Sequence, residues 1–136
     1  MSAAKSSTAL TENRLLKALA KDERSRLISE STKVHLNKRT ILYRAGETVK
    51  FCYFPLSGMI SLLSTAENGK SVIIGIIGND GIAGVAALLN PPIAPYEATA
   101  QIETEVLRIK ADVLRKEFEQ GGKFQRLMAL HIKPVF

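Results

Sequence analysis

Seven of the nine glycines fall between Gly46 and Gly84. They punctuate a region of short apolar runs, "TILY", "FCYFPL", "MISLLS" and "SVIIGII". Short β-rich runs with turn signals at fairly regular spacing predict a sandwich, a barrel or a jelly roll. The clearest hairpin is "ENGK", because Asn68-Gly69 can take the positive φ values that a two-residue turn requires. "EATAQIETEVLRI" alternates: Ala98, Ala100 and Ile102 share a face, Glu103-Thr104 turns, and Leu107 and Ile109 resume on the next strand. Gly75, Gly78, Gly81 and Gly84 recur every third residue. They are explained by turns and bulges at the corners of a tightly wound sheet. The sharper alternative is a phosphate nest over residues 81–84, since successive backbone N–H groups can surround an anion.

The flanks are helical in character. In "TENRLLKALAKDERSRLISES", Leu15, Leu16 and Leu19 form one apolar stripe. Leu27 and Ile28 form another, after an N-cap expected at Asp22. Beyond Ile109, Val113, Leu114 and Phe118 share a helical face, and Gly121-Gly122 ends it. A last helix follows, with Phe124, Leu127, Met128 and His131 at i, i+3, i+4, i+7, and Pro134 stops it. The 136 residues make one domain, 46% apolar and 24% charged, the profile of a soluble globular protein. The net charge of +6 permits an anionic partner without naming one. No run approaches the roughly 20 apolar residues of a membrane span, and the N-terminus has no apolar signal core, so a cytoplasmic location without membrane contact is expected.

No catalytic constellation can be assembled. The two histidines, His35 and His131, stand at opposite ends of the chain, whereas a cupin-type metal site needs several converging in the barrel. His35 is expected at the surface and His131 in helix packing. Ser57 and Ser61 have no histidine near them in sequence, and no P-loop sequence occurs. The single cysteine, Cys52, excludes an internal disulfide and a cysteine-ligated cluster, and its apolar neighbours predict a buried, inert thiol. Lysines and arginines are scattered among acids, with no stripe interleaved with aromatics and no helix–turn–helix sequence.

"ILYRAGE", "CYFPLSGMISLL", "ENGKSVIIGIIGNDGIAG" and "EVLRI", in that order and spacing, resemble the sensor domain of Crp/Fnr-type bacterial transcription regulators. The resemblance runs from about Leu15 to His131. Gly46-Glu47, Gly58 and Asn68-Gly69 match the family's turn glycines; each is weak alone, and the ordered set is specific. It implies a fold that is mainly β with flanking α-helices, a double-stranded β-helix (jelly roll) of the cyclic-nucleotide-binding-domain type. It also implies that the last helix begins a dimerisation helix, which in the family leads to a helix–turn–helix domain. The expected layout is a disordered N-terminus over residues 1–10, the jelly roll with its helices over 11–122, and the start of the dimerisation helix over 123–136, with the DNA-binding domain absent.

In relatives that bind cyclic nucleotides, the phosphate cassette runs from a Gly-Glu pair through a short helix to Arg-Ser/Thr-Ala. Here Gly84 matches the glycine and Val85 takes the glutamate position. No lysine or arginine occurs in residues 71–106, which carry Asp80, Glu97, Glu103 and Glu105. The usual phosphate and ribose contacts are therefore missing. The expected ligand-pocket residues are Ile82, Gly84, Val85, Ala86, Ala87, Leu88, Tyr96, Glu97, Ala98 and Thr99. The expected dimer helix uses Phe124, Leu127, Met128 and His131. "AALL" and "PPIAP" look like packing material, which favours a pocket filled by its own side chains over one open to an uncharged effector. No enzyme activity, metal or cofactor is expected. The expected partners are an uncharged small molecule, a second copy, and DNA only through a domain this chain lacks. Two alternatives stand: a nucleotide-binding regulator whose anion contacts come from backbone or a partner chain, and a cupin-like enzyme.

Overall fold

The computed structural model describes residues 13–131. The disorder expected over residues 1–10 and the end of the last helix from residue 132 lie outside the described residues.

The described residues open with α1 (Arg14–Lys17) and α2 (Lys21–Ser29). Asn13 is fully buried and caps α1 by accepting the Leu16 N–H at 2.9 Å. Its amide also donates to the carbonyls of Pro55 (2.7 Å) and Gly81 (3.1 Å), so one side chain ties the helix to two distant segments. The N-cap of α2 is Ala20, not Asp22, which lies in the first turn. The cap carries no side-chain acceptor of its own. Instead Glu23, one turn on, reaches back to accept the Ala20 N–H at 3.2 Å, and so the helix can start earlier than Asp22.

Seven antiparallel strands follow: β1 (Thr32–Leu36), β2 (Ile41–Tyr43), β3 (Phe51–Ser57), β4 (Ile60–Thr65), β5 (Ser71–Ile77), β6 (Glu97–Ala100) and β7 (Thr104–Lys110). They form two sheets, ordered β1-β7-β3 and β2-β6-β4-β5. The core between and around them includes Phe54, Ile60, Val106 and Ile109, each at most 1% exposed. Gly69 turns β4 into β5 at φ +84°, as the Asn-Gly pair predicts. The β4–β5 register shifts where Leu62 opposes Gly75 and Leu63 opposes Ile73, so Gly75 marks a bulge. β6 ends at Ala100, earlier than the alternation suggests, and Ile102 is 43% exposed instead of sharing the buried face of Ala98 and Ala100. Thr104 causes this. Its hydroxyl accepts the Met59 N–H at 3.1 Å and sits 2.8 Å from the Ile102 carbonyl, drawing the turn tight over residues 101–103.

The chain closes with α3 (Ala111–Glu119) and α4 (Gly122–His131). Gly121 and Gly122 both adopt positive φ, +78° and +82°, and this reversal lays α4 back on the domain. Phe124 and Met128 are therefore fully buried in this chain's own core and are not available to a second copy. Leu127 is half-buried, and Leu130 is 62% exposed. His131 is exposed rather than packed, with its Nδ1 3.0 Å from the Leu127 carbonyl. Among the described residues no helix is long and apolar enough to cross a membrane.

Candidate functional site

Between β5 and β6 the chain passes through Gly84 and a one-turn 3₁₀ helix, Val85–Leu88. Gly84 caps that helix at φ +100°, and a Cβ there would lie 3.0 Å from the Phe51 carbonyl and 3.2 Å from Cys52 Cα. Left-handed backbone and close approach to β3 together require glycine. Ala83 pairs with Tyr53 through two 2.9 Å backbone bonds, and the Cys52 thiol donates to the Gly84 carbonyl at 3.3 Å. Burial pushes the thiol up to about 12, so Cys52 is inert. Within residues 81–84 the amides of Gly81 and Ala83 already bond to the Gly78 and Tyr53 carbonyls, so half of the expected phosphate nest is engaged in holding the loop.

One cation does reach this segment, from the far side. Arg115 on α3 donates from Nε (3.2 Å) and Nη2 (3.0 Å) to the Ala87 carbonyl, while Nη1 bonds Asp112 at 2.8 Å. It anchors the C-terminal end of the short helix and does not face the cleft. Sequence distance hid this contact: Arg115 lies 28 residues from Ala87.

Beside Gly84 lies an open cleft of about 320 Å³, lined by Tyr43, Leu62, Ile76, Ile77, Asp80, Gly81, Ile82, Gly84, Val85, Tyr96 and His131. Of the residues expected there, Ile82, Gly84, Val85 and Tyr96 line it. Ala86, Ala87 and Ala98 are buried away from it, and Leu88, Glu97 and Thr99 are half-buried outside its lining. Thr99 donates to Glu97 at 2.8 Å. The expected filling does not occur. Ala86 and Ala87 turn into the core, while Leu89 (43% exposed) and Ile93 (36%) turn outward, so neither group occupies the space. Tyr43, Leu62, Ile76 and Ile77 come from β2, β4 and β5, which pattern alone marks only as strands. Asp80 and His131 arrive at the rim from a loop and from α4.

No lysine or arginine lines the cleft. Its polar groups are the Tyr43 and Tyr96 hydroxyls, Asp80 and His131. Burial raises the Tyr43 hydroxyl above the ordinary tyrosine value of 10.0, with Tyr96 adding to the shift and the nearby Gly84 amide opposing it. Tyr43 is thus a neutral O–H at physiological pH. A second cavity, of about 400 Å³, lies across Tyr43 under the Gly46-Glu47 turn. His35, exposed as expected, bridges Glu103 and Glu105 at the β1–β7 edge.

Comparison with known proteins places this geometry. Residues 33–120 match the cyclic nucleotide-binding domain. The chain is 30% identical over 114 residues to the anaerobic regulatory protein of Bacillus subtilis (strain 168), covering 80% of this chain and 48% of that protein. It thus spans about half the length of that curated relative. A cyclic nucleotide-binding-like protein from Brucella abortus is similar in structure, with a TM-score of 0.64 and 26% identity over 82% of this chain and 96% of that one. The N-terminal domain of a transcriptional regulator from Streptomyces coelicolor A3(2) shares the fold, with a TM-score of 0.69 and 19% identity over 91% of this chain and 87% of that one. The resemblance carried by the glycine-punctuated strands is borne out, and the chain belongs to the cyclic nucleotide-binding domain family.

Proposed function

We propose that this domain is a non-enzymatic sensor of a Crp/Fnr-type regulator whose phosphate cassette has lost its anion chemistry, and that its cleft takes an uncharged small-molecule effector. The carrying observation is that no lysine or arginine lines the cleft, while Asp80 stands at its rim. Val85 supplies no acceptor for a ribose hydroxyl, and Arg115 is already engaged with Ala87 and Asp112. A charge-assisted hydrogen bond contributes roughly 1.5–3 kcal/mol. Losing both the arginine and the glutamate contacts weakens cyclic-nucleotide binding by at least about 100-fold, at tenfold per ~1.4 kcal/mol. The open volume of about 320 Å³ favours an effector over a purely structural domain, since small-molecule sites begin near ~300 Å³.

The domain acts with a second copy of itself, and DNA contact belongs to a part of the regulator outside this chain. Apolar surface for self-association is present at Leu130 on α4 and at Val72, Ile74 and Ile76 on the edge strand β5, 48–62% exposed. Titration calorimetry with cyclic AMP and cyclic GMP tests the central claim. No heat of binding in the micromolar range is expected. Micromolar binding by either nucleotide sinks the reading and favours anion contacts from backbone or a partner chain.

A further inference from the structure

The cavity across Tyr43 from the cassette has a different chemistry. Its lining is Leu42, Tyr43, Glu47, Thr48, Lys50, Phe51 and Tyr53, contributed by the end of β2, the Gly46-Glu47 turn and the start of β3. The floor is aromatic and buried: Tyr43 is 9% and Tyr53 7% exposed. The Arg108 guanidinium stacks 4.6 Å from the centroid of the Phe51 ring and steadies that wall. Burial raises the Tyr53 hydroxyl, so it stays a neutral donor.

Two exposed, opposite charges in this lining do not pair. Glu47 and Lys50 line the same cavity, yet among the described residues neither forms an ion pair, with each other or with a third side chain. The Glu47 carboxylate is held in place, because its Oε1 accepts the Arg44 N–H at 2.8 Å. Its second oxygen has no partner among the described residues. An unpaired acid and an unpaired base beside an aromatic floor complement a ligand with both charges at one end and an apolar body at the other.

We propose that this cavity is a second ligand site, for a zwitterionic α-amino acid with an apolar or aromatic side chain. The ligand ammonium meets Glu47, its carboxylate meets Lys50 and the Thr48 hydroxyl, and its side chain lies against Leu42, Phe51 and Tyr53. The roughly 400 Å³ of the cavity accommodates such a molecule. This site is independent of the cassette cleft and does not rest on what that cleft binds.

The test is an NMR titration of the full chain, ¹⁵N-labelled, with L-leucine, L-phenylalanine and L-tryptophan to about 20 mM, enough to detect millimolar binding. Phenethylamine and 3-phenylpropionate serve as single-charge controls. Saturable shifts centred on residues 42–53 are expected for at least one of the amino acids, with each control at least about tenfold weaker. Glu47→Gln, which keeps an acceptor for the Arg44 N–H, and Lys50→Met should each weaken binding about tenfold without broadening the spectrum. The proposal is overturned if none of the three amino acids shifts residues 42–53. It is also overturned if the controls bind as well as L-phenylalanine, or if the shifts centre on Gly84 and Tyr96.

Discussion

Glu23 offers the sharpest test of how the helices are held on the jelly roll. The residue is 5% exposed, and its two carboxylate oxygens have different tasks. Oε1 accepts the Ala20 N–H at the start of α2, at 3.2 Å, and Oε2 accepts the Phe124 N–H at the start of α4, at 3.1 Å. Both amides belong to helix N-termini, where no backbone acceptor is available. The site is also tight: a Cβ on Gly122 would lie 2.7 Å from Oε2. Glu23→Ala removes both acceptors, and each orphaned amide costs about 1–3 kcal/mol, less where water can enter. Ala20 is only partly buried, so a total of about 2–4 kcal/mol is expected. With a urea m-value of about 2 kcal/mol/M, the midpoint should fall by roughly 1–2 M. Glu23→Gln retains one oxygen and turns an N–H₂ toward the other donor, so it should lose an intermediate amount. Hydrogen exchange gives the local readout, with the Phe124 amide losing protection first. A midpoint within about 0.25 M of the parent, with the Phe124 amide still protected, would refute the claim that Glu23 fastens α4.

Three further expectations follow from the structure. Gly58→Ala should destabilise by roughly 2–5 kcal/mol in urea unfolding, because the residue sits at φ +80° and a Cβ would lie 2.5 Å from the Glu103 carbonyl, backbone that cannot step aside. His35 should titrate above 6.5 by NMR, raised chiefly by its bond to Glu105 and then to Glu103, and Glu105→Gln should bring it down. Its stabilising contribution is complete below pH 6.5 and fades as pH rises through the raised value. Glu103 is lowered from 4.5, first by the Lys38 N–H and then by His35, so its contribution is complete above pH 4.5 and fades as pH falls through the lowered value. The cluster therefore helps most between about 4.5 and 6.5, and a midpoint for His35 at or below 6.5 contradicts it. Finally, Leu130→Glu should lower the dimer fraction in sedimentation while leaving the unfolding midpoint nearly unchanged, whereas Phe124→Ala should unfold the chain at a cost of about 3–5 kcal/mol; loss of stability from Leu130→Glu would place that residue in the core instead.

What the sequence determined was the framework. Strands β2, β3, β4 and β5 fall on the four apolar runs between turn residues, because period-two patterning and glycine punctuation are local properties. The demand for glycine at positions 58, 69 and 84 is local in the same sense, since each takes a positive φ. The loss of cations from residues 71–106 was also plain, and it carries the functional proposal. Only the tertiary structure decided which faces look inward. The i, i+3, i+4, i+7 stripe on α4 promised a surface for a second copy. The reversal at Gly121-Gly122 turned Phe124 and Met128 into this chain's own core, and left Leu130 outside. The apolar run "SVIIGII" became an edge strand with Val72, Ile73, Ile74 and Ile76 exposed, since among the described residues no strand pairs beyond it. The segment that looked like packing material left an open cleft, walled by Tyr43, Leu62 and Ile76 from other strands. The second cavity joins Glu47 and Lys50 to Phe51 and Tyr53 beneath one turn. Periodicity tells a side chain that it has a buried side. What lies opposite that side depends on contacts between residues far apart in the chain, and those exist only once the sheets have closed.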